Sequence, residues 1–205
     1  MDGMNRIGTE MVDVAFGLSA PLLPPDYEWP LYREVARVVP WIRDFPGAGI
    51  HPVRVALDAD GALLVPRRSK LVLRIPRERL CAASALEGAV LELGTTRVRI
   101  GAATLRKLAP APTLYAARVV TGDADEAAFS AVIARELDAL GVPRRFMCGR
   151  RALVRLERGT AAAFSVAVHG LGEDASMLLL DMGLGRGRAI GCGLLVPHKT
   201  ITAAQ

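Results

Sequence analysis

Leu108-Ala109-Pro110-Ala111-Pro112 stands near the middle of the 205-residue chain, and its reading decides the fold. Proline has a fixed φ and no N–H, so two in alternate positions exclude a helix interior and a paired central strand. The segment is a linker, and the hydrophobic pattern begins afresh beyond it. Residues 114–120 read as a strand. Asp123 and Glu126 have capping-box spacing. They precede a helical stripe of Phe129, Val132, Ile133, Leu137 and Leu140, and Gly141 suits its C-terminal end. Strands are expected over 152–156 and 161–168, the second alternating Phe164, Val166 and Val168 with Ser165 and Ala167. A short helix over 173–180 and a last strand over 189–196 complete the half. Strand, helix, strand, strand, helix, strand is the order of a ferredoxin-like unit.

On the other side of the linker the same order occurs with extra short strands. Residues 11–18 alternate as a first strand, and Pro21, Pro24 and Pro25 make a loop. Pro30 fits a helix's first turn, Leu31, Val35, Val38 and Val39 recur at helical spacing, and Pro40 ends a helix over 29–39. Residues 45–52 are a Gly/Pro-rich loop. Short strands are expected over 53–57, 61–65 and 71–75, with Asp60-Gly61 as a hairpin turn. The sequence Asp58-Ala59-Asp60-Gly61 lacks the later ligands of a calcium loop and reads as a turn. A short helix over 76–86 and strands over 90–93 and 98–100 follow, with Arg97 and Arg99 opposite Val98 and Ile100. The chain is therefore expected to be α+β, with tandem ferredoxin-like domains and antiparallel sheets. The expected division is 1–107, a linker at 108–113, and 114–205.

A hydrophobic content of 51% suits a folded globule, and a net charge of +5 favours an anionic partner. Arginines cluster at Arg67-Arg68, Arg74 to Arg79, Arg144-Arg145 and Arg150-Arg151, which points to a shared polyanion surface. Cys81, Cys148 and Cys192 are widely spaced, with no Cys/His ligand spacing, so a reduced, cytoplasmic protein without a metal or cofactor is expected. Residues 1–10 lack a signal-peptide layout. No apolar run is long enough to span a membrane.

The remaining motif is Gly183-Leu184-Gly185-Arg186-Gly187-Arg188-Ala189-Ile190-Gly191-Cys192-Gly193. Its spacing fits neither a dinucleotide fingerprint nor a phosphate loop of the G-x-x-x-x-G-K-[ST] type. On its glycines alone it reads equally as a turn entering a last strand. Arg186 and Arg188 tilt it toward a loop lying against phosphodiesters.

Two Gly-apolar-Gly units around a basic five-residue insert resemble, at every position, the signature loop of the CRISPR repeat-processing endoribonucleases of the RAMP superfamily. A looser likeness runs over nearly the whole chain. The resemblance implies tandem ferredoxin-like (RRM-like) domains and metal-independent cleavage of precursor CRISPR RNA within repeats to give mature crRNA. It implies 2′,3′-cyclic phosphate and 5′-hydroxyl ends, RNA contacts at Gly183, Gly185, Arg186, Gly187, Arg188, Gly191 and Gly193, and membership of an effector complex.

RNA carries its own nucleophile, the 2′-hydroxyl, so cleavage needs proton transfer and positive charge on the phosphorane. Histidine suits the first because its ordinary pKa of about 6.5 lies near working pH. His51, His169 and His198 are the histidines. Family members carry a catalytic histidine just after the first helix, often with a tyrosine from that helix and a nearby lysine. Gly49-Ile50-His51-Pro52 matches the histidine's place. Tyr32 matches the tyrosine, with Tyr27 competing. Lys70 matches the lysine, with Arg54, Arg67 and Arg68 as substitutes. The resemblance thus implies His51 as general base or acid, Tyr32 as its partner and Lys70 on the phosphate, with His198 in reserve. Aromatic content is 5% and no base-stacking run appears, which favours backbone recognition through Arg67, Arg68, Arg144, Arg145, Arg150 and Arg151. The alternatives are a non-catalytic RNA-binding RAMP subunit of an effector complex and a basic scaffold that does not read RNA.

Overall fold

The computed structural model describes residues 10–198. The signal-peptide reading therefore falls, apart from Glu10, outside the described residues. Strand β1 (Met11–Ser19) is followed by β2 (Leu22–Leu23), α1 (Glu28–Val38), β3 (Gly49–Ile50), β4 (Ala56–Leu57), β5 (Leu63–Leu64) and β6 (Lys70–Pro76). A 3-10 turn, α2 (Leu80–Ala83) and a second 3-10 turn lead to β7 (Val90–Leu93) and β8 (Thr96–Lys107). Beyond the linker lie β9 (Thr113–Val119), α3 (Glu126–Ala139), β10 (Phe146–Arg155), β11 (Thr160–His169), α4 (Glu173–Met182) and β12 (Val196–Pro197).

The first sheet runs β3-β6-β1-β8-β7 and the second β10-β11-β9-β12, antiparallel at every pairing. Taking β1, β3, β6 and β8 as one set of four and β9, β10, β11 and β12 as the other, each sheet has spatial order 2-3-1-4. With a helix after the first and third strand of each set, both halves are ferredoxin-like. A small third sheet, β2-β5-β4, gathers what the sequence suggested were two longer strands.

Each half has its own core. In the first, Val14, Phe16, Leu73 and Ile75 from the sheet meet Leu31 and Val35 of α1. In the second, Ala116, Val166 and Val168 meet Phe129, Ile133 and Leu179. Fully burying such a side chain contributes about 1.5–3 kcal/mol. A smaller cluster of Val120, Val154, Ala163, Ile190 and Cys192, with Trp29 and Tyr32 against it, joins the halves.

Some elements differ from the sequence reading. The cap of α3 is Asp125, whose carboxylate accepts from Ala128 N at 2.9 Å, while Asp123 bonds the Thr121 hydroxyl instead. Gly141, with φ +66°, closes that helix as expected. The helix over 76–86 is broken into 3-10 and α turns. The expected strand over 152–156 begins already at Phe146, with a bulge between Cys148 and Arg151. The last strand over 189–196 shrinks to Val196–Pro197, because Arg188–Ile190 winds into a 3-10 turn between the left-handed Gly187 and Gly191. Cys81 is exposed, and only Cys192 is a fully buried thiol. Among the described residues, no helix is long and apolar enough to cross a membrane.

Candidate active site at the seam of the two sheets

The site begins with a strand cut short. Gly49 and Ile50 pair with Arg74 and Leu73, and His51 N donates to Val72 O at 2.8 Å. Pro52 has no N–H, so the ladder ends there. Paired residues of antiparallel strands share a face. Ile50 and Leu73 therefore face the core, while His51 and Arg74 face the other way. Asp13 stands opposite Arg74 across β1 and β6.

On that face the Arg74 guanidinium, 1% exposed, grips Asp13 with both arms, Nε to Oδ1 at 2.8 Å and Nη2 to Oδ2 at 3.0 Å. Its Nη1 donates across the seam to the carbonyls of Leu180, at 3.0 Å, and Leu195, at 2.7 Å. His51 Nε2 lies 3.3 Å from Asp13 Oδ1. Burial alone would raise the Asp13 pKa, but hydrogen bonds from His51 and Arg74, with their charges, hold it well below the usual carboxylate range. Burial pushes His51 below its ordinary 6.5; Asp13 opposes this, and the charges of Arg74 and Arg188 add to it. His51 is therefore neutral at neutral pH. An ionised carboxylate only accepts, so Nε2 carries the ring proton and Nδ1 is the basic nitrogen.

The glycine-rich stretch meets this face from the second half. Gly183 ends α4 at φ +70°. Leu184 N bonds Gly193 O, Arg186 N bonds Val120 O, and Gly193 N bonds Arg118 O. A Cβ on Gly193 would run into Leu184 O, and one on Gly185 would lie 2.5 Å from Val120 O. Gly191 sits against Ile50 O and Pro52, and Gly49 against Leu194 and Arg188 O. Gly183, Gly191 and Gly193 are buried, and Gly185 and Gly187 are half-buried. Their bareness thus serves close approach of this protein's own backbone.

The two arginines of the stretch differ. Arg186 is exposed and its guanidinium donates to Thr121 O at 2.5 Å. Arg188 is 8% exposed, yet none of its three side-chain nitrogens has a hydrogen-bond partner among the described residues. Burial and the charge of Arg74 bring its pKa down to about 10, with Asp181 and Asp13 opposing. A buried guanidinium without a partner costs free energy, and it is a ready receptor for an anion.

A small cleft beside His51 is lined by Tyr27, Glu28, Pro52, Ala189 and Ile190. Tyr27 is the tyrosine that lines this cleft: its hydroxyl accepts from Val53 N at 2.9 Å, and burial pushes its pKa up to about 12. Tyr32 instead packs on Trp29, ring centroids 5.2 Å apart, within the cluster joining the halves. A groove of about 410 Å³ extends from Tyr27, Glu28 and Pro52 toward Arg118 and Arg155. Arg118 crosses the seam to Glu28 at 2.6 Å.

Lys70 is exposed at the start of β6, on Arg74's face. Arg67 and Arg68 are exposed in the turn before it. Arg145, Arg150 and Arg151 are exposed on or beside the edge strand β10, and Arg144 is held by Asp138. His198 is exposed against the Tyr115 ring, and His169 is exposed at the end of β11. The structure thus brings His51, Arg74 and Arg188 together and leaves Lys70, Arg67, Arg68, Arg144, Arg145, Arg150 and Arg151 along the surface.

Asp13 did not stand out in the sequence, and Arg74, expected on a polyanion surface with Arg77 and Arg79, is instead buried against Asp13. The available signal was one charge in the middle of each of two apolar strands, Val12-Asp13-Val14 and Leu73-Arg74-Ile75, with opposite signs.

The Cas6 family model, described as Cas6 Crispr, matches residues 12–200. The CRISPR-associated endonuclease Cas6 of Myxococcus xanthus (strain DK1622) is 33% identical over 195 residues, covering 95% of this chain and 84% of that protein. Among solved structures, a RAMP protein binding different RNA substrates superposes with a TM-score of 0.65 at 13% identity, covering 92% of this chain and 100% of that one. A Cas6-related protein from Pyrococcus furiosus gives 0.63 at 11% identity, covering 95% and 100%. The two structural likenesses carry the fold; the sequence matches carry the family. This chain belongs to the Cas6 family.

Proposed function

We propose that the protein is an endoribonuclease that cleaves CRISPR precursor RNA within its repeats, and that the seam around His51 is where it cuts. The observation that carries the reading is the meeting of two groups from opposite halves: a neutral, carboxylate-bound His51 and a buried Arg188 that has no side-chain hydrogen-bond partner among the described residues. His51 Nδ1 takes the proton of the 2′-hydroxyl. The 2′-oxygen bonds to phosphorus, and the P–O5′ bond breaks. The 5′-oxygen takes a proton from solvent, leaving a 2′,3′-cyclic phosphate and a 5′-hydroxyl. Arg188 holds the non-bridging oxygens, where charge accumulates. Lys70, on the same sheet face, adds charge further along the phosphodiester, and Tyr32 supports the turn that carries Ala189 and Ile190. The set supplies both requirements of the chemistry, and no step calls for a metal.

Arg67, Arg68, Arg145, Arg150 and Arg151 provide a sequence-independent hold on the RNA backbone. Product retention, assembly into an effector complex and a cytoplasmic location belong to this proposal.

The test compares wild type with His51→Ala on a repeat RNA in buffer containing a chelator. Wild type should cut at one position with cyclic-phosphate ends. His51→Ala should bind equally and cut roughly a hundred- to ten-thousand-fold more slowly. Equal cutting by both proteins would remove His51 from the chemistry, and absence of cutting by either would leave a non-catalytic RNA-binding subunit.

A further inference from the structure

We infer that Asp13 is a positioning residue for His51, and that Arg74 makes this positioning depend on docking of the C-terminal half. The inference rests on the reading of His51 as the proton acceptor, and it concerns residues to which no role has been given.

An imidazole at the end of a two-residue strand has little to fix its ring. Its backbone is tied by one bond, His51 N to Val72 O, and Pro52 follows. The side chain is 12% exposed and has one side-chain hydrogen-bond partner, Asp13 Oδ1. That contact settles two things at once: which nitrogen carries the proton, and which way the other nitrogen points. A histidine acting on a hydroxyl needs both, as in the carboxylate–histidine pair of serine hydrolases.

Asp13 cannot turn away, because both its oxygens are held by Arg74. Arg74 in turn cannot shift, because Nη1 is shared by the carbonyls of Leu180, in α4, and Leu195, just before β12. The chain of contacts runs from the second half, through Arg74 and Asp13, to His51 Nε2. A sheet that needed only a buried ion pair would not require Arg74's third nitrogen to reach into the other half. When the halves are docked, the glycine-rich turn brings Arg188, and the same docking fixes the His51 ring. Base and phosphate holder are therefore assembled by one event.

The charged and titratable groups facing His51 are Asp13 from β1, Arg74 from β6, Arg188 from the glycine-rich turn, and Tyr27 and Glu28 across the cleft. Of these, only Asp13 favours the imidazolium through a direct hydrogen bond. Removing its charge has a defined consequence: the pH at which His51 gains its proton must fall.

The experiment measures single-turnover cleavage of a repeat RNA at saturating protein from pH 4.5 to 8.5, for wild type, Asp13→Asn and Arg74→Lys. RNA affinity is measured alongside. Nitrogen chemical shifts of His51 in the folded wild type report the tautomer. Expected are a proton on Nε2 in wild type, and in Asp13→Asn a rate loss of about tenfold or more with affinity kept within about twofold. The rising limb of the Asp13→Asn profile should move to lower pH, which a merely structural role would not produce. Arg74→Lys, which keeps the charge but loses the fork, should lose rate in the same way. A wild-type proton on Nδ1 overturns the inference however the variants fold. So does an Asp13→Asn profile matching wild type in rate and shape. If His51→Ala cuts like wild type, the nuclease reading of His51 fails instead, and the tautomer measurement still decides the Asp13 contact by itself.

Discussion

The two halves share one topology and differ in which edge is cut short. In the first, the second strand of the set is only Gly49–Ile50, and its last strand is the twelve-residue β8. In the second, the second strand is the ten-residue β10, and the last is only Val196–Pro197. Both short strands are sheet edges. The first of them faces the turn that leads into the second, as Gly49 against Leu194 and Gly191 against Ile50 O show. A short edge strand frees its chain to leave the sheet, in one half to present His51 and in the other to wind the Arg188 turn. The long edge strand β10 displays Arg150 and Arg151 to solvent. The same fold, truncated at different strands, thus provides a seam that holds His51 beside the Arg188 turn and a basic outer surface.

The strongest way to break this complementarity is at Arg74. Arg74→Met keeps most of the volume but leaves the Asp13 carboxylate without its ion pair, held by His51 alone, and removes the donor to Leu180 O and Leu195 O. Breaking a buried pair from one side costs about 3–5 kcal/mol. Urea unfolding should show that loss, and a loss under 1 kcal/mol would mean the halves are held by the apolar cluster instead. Gly193→Ala comes next. Its Cβ would meet Leu184 O and its φ is +69°, so a loss of about 2–4 kcal/mol is expected. A Tm equal to wild type would show that the turn can reorganise.

Arg188→Met should act in the opposite direction. Replacing an unpartnered buried cation by an apolar side chain of similar length should stabilise the protein by about 1–3 kcal/mol. RNA cleavage should be lost in the same variant. Stabilisation with full activity would show that Arg188 does not hold the phosphate, and destabilisation would show that it is satisfied in the free protein.

The smallest expected effect is that of pH. His51 has a folded-state pKa below 6.5, so as pH falls the unfolded chain takes up its proton first. His51's contribution is complete above about 6.5 and declines below it, by at most about 1.4 kcal/mol per pH unit. It stops declining once the folded-state histidine is also protonated. Asp13, depressed from 3.8, adds a further loss of the same sign as pH falls below that value. Stability measured at pH 8, 7, 6 and 5 should therefore fall toward acid in wild type and less so in His51→Gln. Parallel curves would place His51 in a solvated environment.

Local pattern carried much of the architecture. Alternation marked β1 and β11, 3.6-residue spacing marked α1 and α3, and Pro110 and Pro112 fall between β8 and β9. Where it failed, tertiary contacts decided. Residues 189–196 have strand-like composition, yet Gly187 and Gly191 at left-handed φ turn the chain inward to seat Ile190 and Cys192 between the halves. Tyr32 sits at good helical spacing for a partner of His51, but its helix face is occupied by Trp29 and the joining cluster, while Tyr27, before the helix, lies in the cleft.

By itself the sequence determined the α+β class, the tandem order, a basic protein and a glycine-rich stretch that resembles the signature loop of the CRISPR repeat-processing endoribonucleases. These depend on periodicity, proline chemistry and charge, which act over a few residues. Tertiary structure alone decided that His51 meets Asp13, that Arg74 reaches 106 residues along the chain to Leu180 and 121 to Leu195, and that the Arg188 guanidinium is buried with no hydrogen-bond partner among the described residues. Such contacts depend on how two sheet edges dock, and the free energy of a buried charge exists only once docking has removed the water around it.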